Sequence, residues 1–196
     1  MQTLYIFKYL DIYRTNDIAF DPVYHDVDFL WAKGMMSKMK EVYPDSVEDV
    51  PPNNQKAPGK SVQLNCFVDS DHAGDRKTGR SDTGIIPCFN SAPIVLYSKR
   101  QVIVEISTFG SEFVVLRVAA KFIIRLLKYK LSMFRISVMG VINVFCDNNS
   151  VNTNTLFSES LLKKKHDAIY FHRIRELVTT GIMIVHKGDS ENLVIY

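Results

Sequence analysis

The stretch Phe67–Gly74, FVDSDHAG, decides how the rest of the chain is read. Before it, Val62, Leu64, Cys66 and Val68 alternate with Gln63, Asn65 and Phe67. A period of two marks a β-strand, whose successive side chains point to opposite faces. That strand ends at Asp69, and a turn follows. α/β folds place their sites at the carboxyl ends of strands, so the acid at this position directs the search for partners elsewhere in the chain.

Two further acids stand in comparable settings. Val141–Asp147 is predicted as a strand that again runs into an acid, Asp147. Glu112 lies in the first turn of the strongest helical pattern, residues 108–131, for which Thr108 is a candidate cap. If the two strands are adjacent and parallel, Asp69 and Asp147 emerge at one sheet edge, and the helix can aim Glu112 at the same point. Three clustered carboxylates repel unless a cation sits between them. Hard oxygen ligands select magnesium or manganese, and two such ions can activate water and stabilise the leaving oxygen of a phosphodiester. Read from the residues alone, the plain alternative stays open: three unrelated acids at element ends.

The remaining pattern predicts a mixed α/β fold. Thr83–Phe89 and Ile94–Ser98 read as strands joined by residues 90–93, forming an antiparallel meander with the first strand. Pro87 lacks a backbone donor and should weaken the second strand or mark a bulge. Asn148, Asn149 and Ser150 are N-cap residue types, so a short helix should run to about Phe157. A helix over about 167–180 ends near Gly181, and Ile182–Val185 makes a last strand. Strand, strand, strand, helix, strand, helix, helix, strand implies a five-stranded sheet with antiparallel and parallel parts and helices on both faces.

Toward the N-terminus, Trp31, Met35, Met36 and Met39 give Leu30–Val42 the spacing of a short amphipathic helix with a core-facing stripe. Pro51, Pro52, Asn53, Asn54, Pro58 and Gly59 mark residues 44–60 as a linker. The chain divides into an N-terminal segment and linker, residues 1–60, and a domain, residues 61–196. In DPVYHDVD (Asp21–Asp28), His25 among three acids reads as a solvated turn rather than a metal site.

Bulk properties narrow the classes. A chain of 196 residues can bury one core. Hydrophobic content of 46% against 23% charged residues excludes a disordered chain. A net charge of +3 permits a nucleic-acid partner without demanding one. Cys66, Cys88 and Cys146 are far apart in apolar runs, which fits buried thiols in a reducing compartment and lacks the spacing of a zinc site. The N-terminal MQTLYIFKYLD has no basic leader or cleavage site. No apolar run approaches the ~20 residues a bilayer span needs. The expected setting is intracellular: cytoplasmic, with a virus-like particle as one form of that, or nuclear. Arg117, Lys121 and Arg125 recur every four residues and share a helix face, read as a solvated stripe, with a phosphate-facing stripe as the alternative.

Four segments carry a resemblance: FVDSDHAGDRKTGRSDTG, YSKRQVIVEISTFGSEF, VFCDNNSV and KKKHDAIYFHRIRE. In order and spacing, over most of the chain, they resemble the ribonuclease H domain at the C-terminal end of copia-type retrotransposon polyproteins. The resemblance implies a ribonuclease H-like fold and cleavage of the RNA strand of an RNA–DNA hybrid during reverse transcription. It implies Mg2+ (or Mn2+) held by Asp69, Glu112 and Asp147, with the reverse transcriptase part of a parent polyprotein as partner. Asp71 belongs to the same motif, as support in the turn. Arg76, Lys77, Arg80, Lys99, Arg100, Lys163, Lys164 and Lys165 are candidate phosphate contacts. His166, His172, Arg175 and Glu176 match a family pattern with a structural role, and His186, read as lying after the last strand, corresponds to a mobile histidine that helps product leave in some related ribonucleases. The family's closing stretch, like NLADLLTK, carries a fourth metal-ligand Asp. Here Ile195 stands at that position and the terminal helix is missing, which implies impaired catalysis or a remnant that only binds nucleic acid.

Overall fold

The structure is a computed structural model describing residues 30–48, 58–59, 61–90, 92–157 and 168–188. Six strands form one mixed sheet: β1 (Leu64–Asp71), β2 (Asp82–Phe89), β3 (Ala92–Pro93), β4 (Tyr97–Arg100), β5 (Ile142–Cys146) and β6 (Met183–Lys187). The order is β3-β2-β1-β5-β6, with β4 also paired to β2. The β1–β2 pair and the edge pieces are antiparallel, whereas β1–β5 and β5–β6 are parallel.

The sixth strand corrects the expected five, and Pro87 explains it. The Pro87 carbonyl accepts a hydrogen bond from the Ile94 amide (2.9 Å). In an antiparallel strand a residue's N–H and C=O point the same way, so the donor that proline lacks faces this sheet edge and not β1. Edge pairing breaks there. It survives on either side as β3, opposite Cys88 and Phe89, and as β4, opposite residues 82–85. The predicted strand at 94–98 accordingly begins three residues later.

The helical segments are α1 (Leu30–Val42), α2 (Thr108–Val118), α3 (Arg125–Met133), α4 (Asn149–Leu156) and α5 (Ala168–Thr179). The expected continuous helix over 108–131 is interrupted by a π-helical stretch, Ala119–Ile124, between α2 and α3. Its N-cap is Ser107 rather than Thr108, with Ser107 Oγ accepting from the Gly110 amide (3.2 Å). Gly181, at φ +70°, lets the chain leave α5, and its amide bonds the Val178 carbonyl (3.0 Å).

The period of two in β1 sorts its side chains as predicted. Leu64, Cys66 and Val68 meet Val144, Met183 and Val185 of the neighbouring strands, together with Phe113, Leu116, Val151, Ile174 and Val178 of the helices, in one core. The alternate residues are not simply solvated. Asn143 Nδ2 donates to Asn65 Oδ1 (2.9 Å), and Asn65 Nδ2 donates to the Asn90 carbonyl (3.1 Å). The two asparagine side chains satisfy each other, which makes their burial tolerable, whereas the buried Gln63 Oε1 has no hydrogen-bond partner among the described residues. Phe67 stacks on Phe145, and Phe145 on His186, with centroids 5.0 and 5.3 Å apart.

Helix α1, inside the expected N-terminal segment, packs against α5. Met39 is fully buried, and Tyr43 Oη lies 2.6 Å from His172 Nδ1. Glu48 pairs with Lys128 (2.6 Å). The Asp21–Asp28 cluster, residues 49–57 of the linker, His166 and Ile195 lie outside the described residues. Among the described residues no helix is long and apolar enough to cross a membrane.

Candidate metal centre

Asp69 and Asp147 stand one residue beyond the Val68–Cys146 rung of the parallel β1–β5 pair. Equal register on parallel strands brings both carboxylates out at one sheet edge, and both are exposed. Asp147 is fixed from behind by the start of α4. Asn148 Oδ1 accepts from the amides of Ser150 (3.0 Å) and Val151 (3.3 Å), and Asn152 Nδ2 donates to the Cys146 carbonyl (3.3 Å).

Glu112 reaches the same place from α2, one turn into the helix. It is buried, and its Oε1 accepts the Ser70 amide (3.1 Å). Cys146 Sγ donates to its Oε2 across 3.9 Å. Ligand atoms of Glu112, Cys146 and Asp147 all lie within 4.8 Å of one another. Burial first, then the charges of Asp69 and Asp147, push the Glu112 carboxyl up to about 8. Asp69 is also raised, chiefly by loss of water, with Asp147 and Asp71 adding to it and the Ser70 amide opposing. Loss of water is the larger cause at both residues, and neighbouring like charge adds to it. Burial pushes the Cys146 thiol up to about 12, so it serves Glu112 as a neutral donor.

The turn after β1 is shaped by its own residues. A Cβ at Gly74 would collide with the Asp71 carboxylate, which folds against the turn. Ala73 takes φ +53°, and its amide donates to Ser81 Oγ (3.1 Å). His72 Nδ1 lies 3.2 Å from Ser111 Oγ. The Ser111 hydroxyl proton goes to the Thr108 carbonyl (2.9 Å), so His72 is the donor of that pair.

The candidate phosphate contacts divide. Arg76, Lys77, Arg80 and Lys99 are exposed. Arg100 is engaged, with NH1 on Asp75 (3.0 Å) and Nε on Asp82 (3.4 Å). Asp75 is held below the usual carboxylate range by the Thr78 hydroxyl and the Lys77 amide, with Arg100 assisting. Lys163, Lys164 and Lys165 lie outside the described residues. In the basic stripe, Arg117 lies over the Tyr170 ring (4.3 Å to its centroid) and Lys121 is exposed.

His186 requires a correction. It was expected after the last strand as a mobile group, but it lies within β6, 5% exposed, with Nε2 3.1 Å from Asn143 Oδ1. Burial lowers its pKa to about 4, so it is neutral. The expected strand 182–185 was too short, which moved this residue into a loop. Arg175 has the structural role expected of it. Its Nε donates to the Asn154 carbonyl (3.1 Å) and its NH2 to that of Phe157, closing the C-terminal end of α4.

Sequence reasoning missed two contributors, the Ser70 amide and the Cys146 thiol. The first is backbone and carries no side-chain signal. The second read only as a buried thiol in an apolar run, because its neighbour Glu112 is distant in the chain.

No family model matches the chain, and no curated protein matches it. Among solved structures, the chain is similar to the LC11 ribonuclease H1 isolated from compost by a metagenomic approach. Identity is 13% and the TM-score 0.49, over 66% of this chain and 86% of that one. The same ribonuclease in complex with an RNA/DNA hybrid matches at 13% identity and TM-score 0.47, over 67% and 89%. The protease–reverse transcriptase of prototype foamy virus matches at 12% identity and TM-score 0.45, over 71% of this chain but only 19% of that one.

Proposed function

We propose that this chain is a divalent-metal-dependent ribonuclease H that hydrolyses the RNA strand of RNA–DNA hybrids, with residues 61–196 as its domain. The observation that carries the reading is Glu112, a buried carboxyl whose pKa is lifted to about 8 beside two acids at adjoining strand ends. A cation in that position relieves the repulsion. The donor set of Asp69, Glu112 and Asp147 offers the hard oxygens that Mg2+ or Mn2+ takes. Ligand atoms of Glu112 and Asp147 lie within 4.8 Å of each other, with Asp69 outside that group and at the adjoining strand end. Such a metal, when bound, activates water and stabilises the leaving oxygen of a phosphodiester.

The chain's own residues prepare the place. The Ser70 amide orients one oxygen of Glu112, the Cys146 thiol approaches the other, and the Asn148 cap anchors the backbone beside Asp147. Arg76, Lys77, Arg80 and Lys99 supply exposed charge for phosphates, with Lys163–Lys165 as sequence candidates. Arg100 is the weaker candidate because two carboxylates already hold it. Hybrid would be held by backbone shape and 2′-hydroxyls rather than by base sequence. An origin in a copia-type retrotransposon, an intracellular setting and a reverse transcriptase partner rest on the quoted motifs.

A second reading, hybrid binding without cleavage, is favoured by Ile195 at the position of the fourth acid. One experiment separates the two: a labelled hybrid is incubated with Mg2+ and wild-type protein or Asp69→Asn. Cleavage by wild type alone supports the nuclease. Salt-dependent binding with equal absence of cleavage in both supports the second reading.

A further inference from the structure

We propose that Gln101 is the positioning residue for Glu112, a role that rests on the metal-site reading above. Gln101 follows β4 directly and is 4% exposed. Its backbone amide donates to the Ser81 carbonyl (2.8 Å). Its side-chain Nε2 donates twice: to Thr83 Oγ1 on β2 (3.3 Å) and to the Ser111 carbonyl on α2 (3.0 Å).

Both acceptors matter because of what stands next to them. Thr83 is the cross-strand partner of Ser70, and Ser111 immediately precedes Glu112. Ser70 in turn donates its amide to Glu112 Oε1. The contacts close a ring from Ser70 across the ladder to Thr83, through the Gln101 amide to Ser111, along α2 to Glu112 and back to Ser70. One NH2 group thereby sets the distance between the strand that carries Asp69 and the helix that carries Glu112.

The other end of the same amide points to purpose. Gln101 Oε1 is buried and has no hydrogen-bond partner among the described residues. An unsatisfied buried acceptor is unfavourable, so a methionine of similar length would suit this pocket better on packing grounds alone. Ser111 would keep its intrahelical carbonyl bond without Gln101. The two bonds that its nitrogen makes offset that cost.

Gln101→Met and Thr83→Val test this in the full chain. Amide exchange at Ser70 is measured in the metal-free protein, Mn2+ affinity by titration, and Tm by thermal unfolding. Gln101→Met should speed Ser70 exchange by about tenfold or more and weaken Mn2+ binding by about 10–100-fold, the range for groups that orient metal ligands. Its Tm should stay within about 4 °C of wild type. Thr83→Val, which removes one of the two anchors, should shift exchange in the same direction by less. Unchanged Ser70 exchange in both variants overturns the proposal. So does a collapse of Tm in Gln101→Met, which would make the residue a folding requirement. A wild-type chain that does not cleave hybrid refutes the nuclease reading and leaves the exchange comparison standing, so the two failures are separable.

Discussion

Replacing Glu112 by Gln should make the metal-free protein more stable at pH 8 and change it little at pH 5. The folded state holds the Glu112 proton up to about pH 8, whereas the unfolded chain releases it near 4.5. Between those values the unfolded state binds fewer protons, so wild-type stability falls as pH rises and levels off above about 8. The full shift corresponds to at most roughly 5 kcal/mol. Asp69 and Asp147 lie exposed at the same edge, and water there screens the repulsion, leaving about 1–3 kcal/mol. Gln keeps the oxygen that accepts the Ser70 amide, so the variant removes charge without removing that bond. The assay is urea unfolding in EDTA at pH 5, 6, 7 and 8 for both proteins. The difference between them cancels the contributions of His186 and the cysteines, which both share. Excess Mg2+ should flatten the wild-type slope by taking the place of the proton. Parallel pH profiles for the two proteins would refute the claim that burial, aided by the neighbouring acids, holds the proton on Glu112.

Other consequences are open to measurement. Asp69→Asn and Asp147→Asn should each lower hybrid cleavage by about 10²–10³-fold while hybrid affinity, by fluorescence anisotropy, stays within a few-fold. His186 is neutral when folded and charges more readily when unfolded, so wild-type stability should fall as pH drops from 6.5 to about 4. His186→Gln should remove a slope of about 1–3 kcal/mol in acid unfolding curves. Arg175→Met should lose about 2–3 kcal/mol in urea unfolding, because the carbonyls of Asn154 and Phe157 lose their charged donor. A loss below about 0.5 kcal/mol there would show that water replaces the guanidinium at no cost.

What was legible in the sequence was mostly what repeats. The period of two through Leu64, Cys66 and Val68, the N-cap residues after Asp147 and the glycine after Thr180 each carry a local signal, and each lies where expected. The parallel register that aligns Asp69 with Asp147 is a long-range fact that no local pattern encodes. It entered only as a condition on strand order. Pro87 was visible as an oddity, but its effect depends on which neighbour its missing donor faces, and pairing alone decides that. The π-helical stretch at 119–124 arises inside an apolar run whose periodicity does not distinguish it from α-helix. His186 was misplaced because a strand end was set too early, and burial then turned a supposed mobile group into a partner of Asn143. Gln101 and the Ser70 amide were illegible because both act through contacts between segments distant in the chain.

The central claim, that Asp69, Glu112 and Asp147 together hold a divalent metal, is tested most directly by anomalous diffraction from crystals soaked in Mn2+. The account predicts a manganese peak beside these three carboxylates, at the ends of β1 and β5. A peak elsewhere on the molecule, or none at saturating Mn2+, would contradict it.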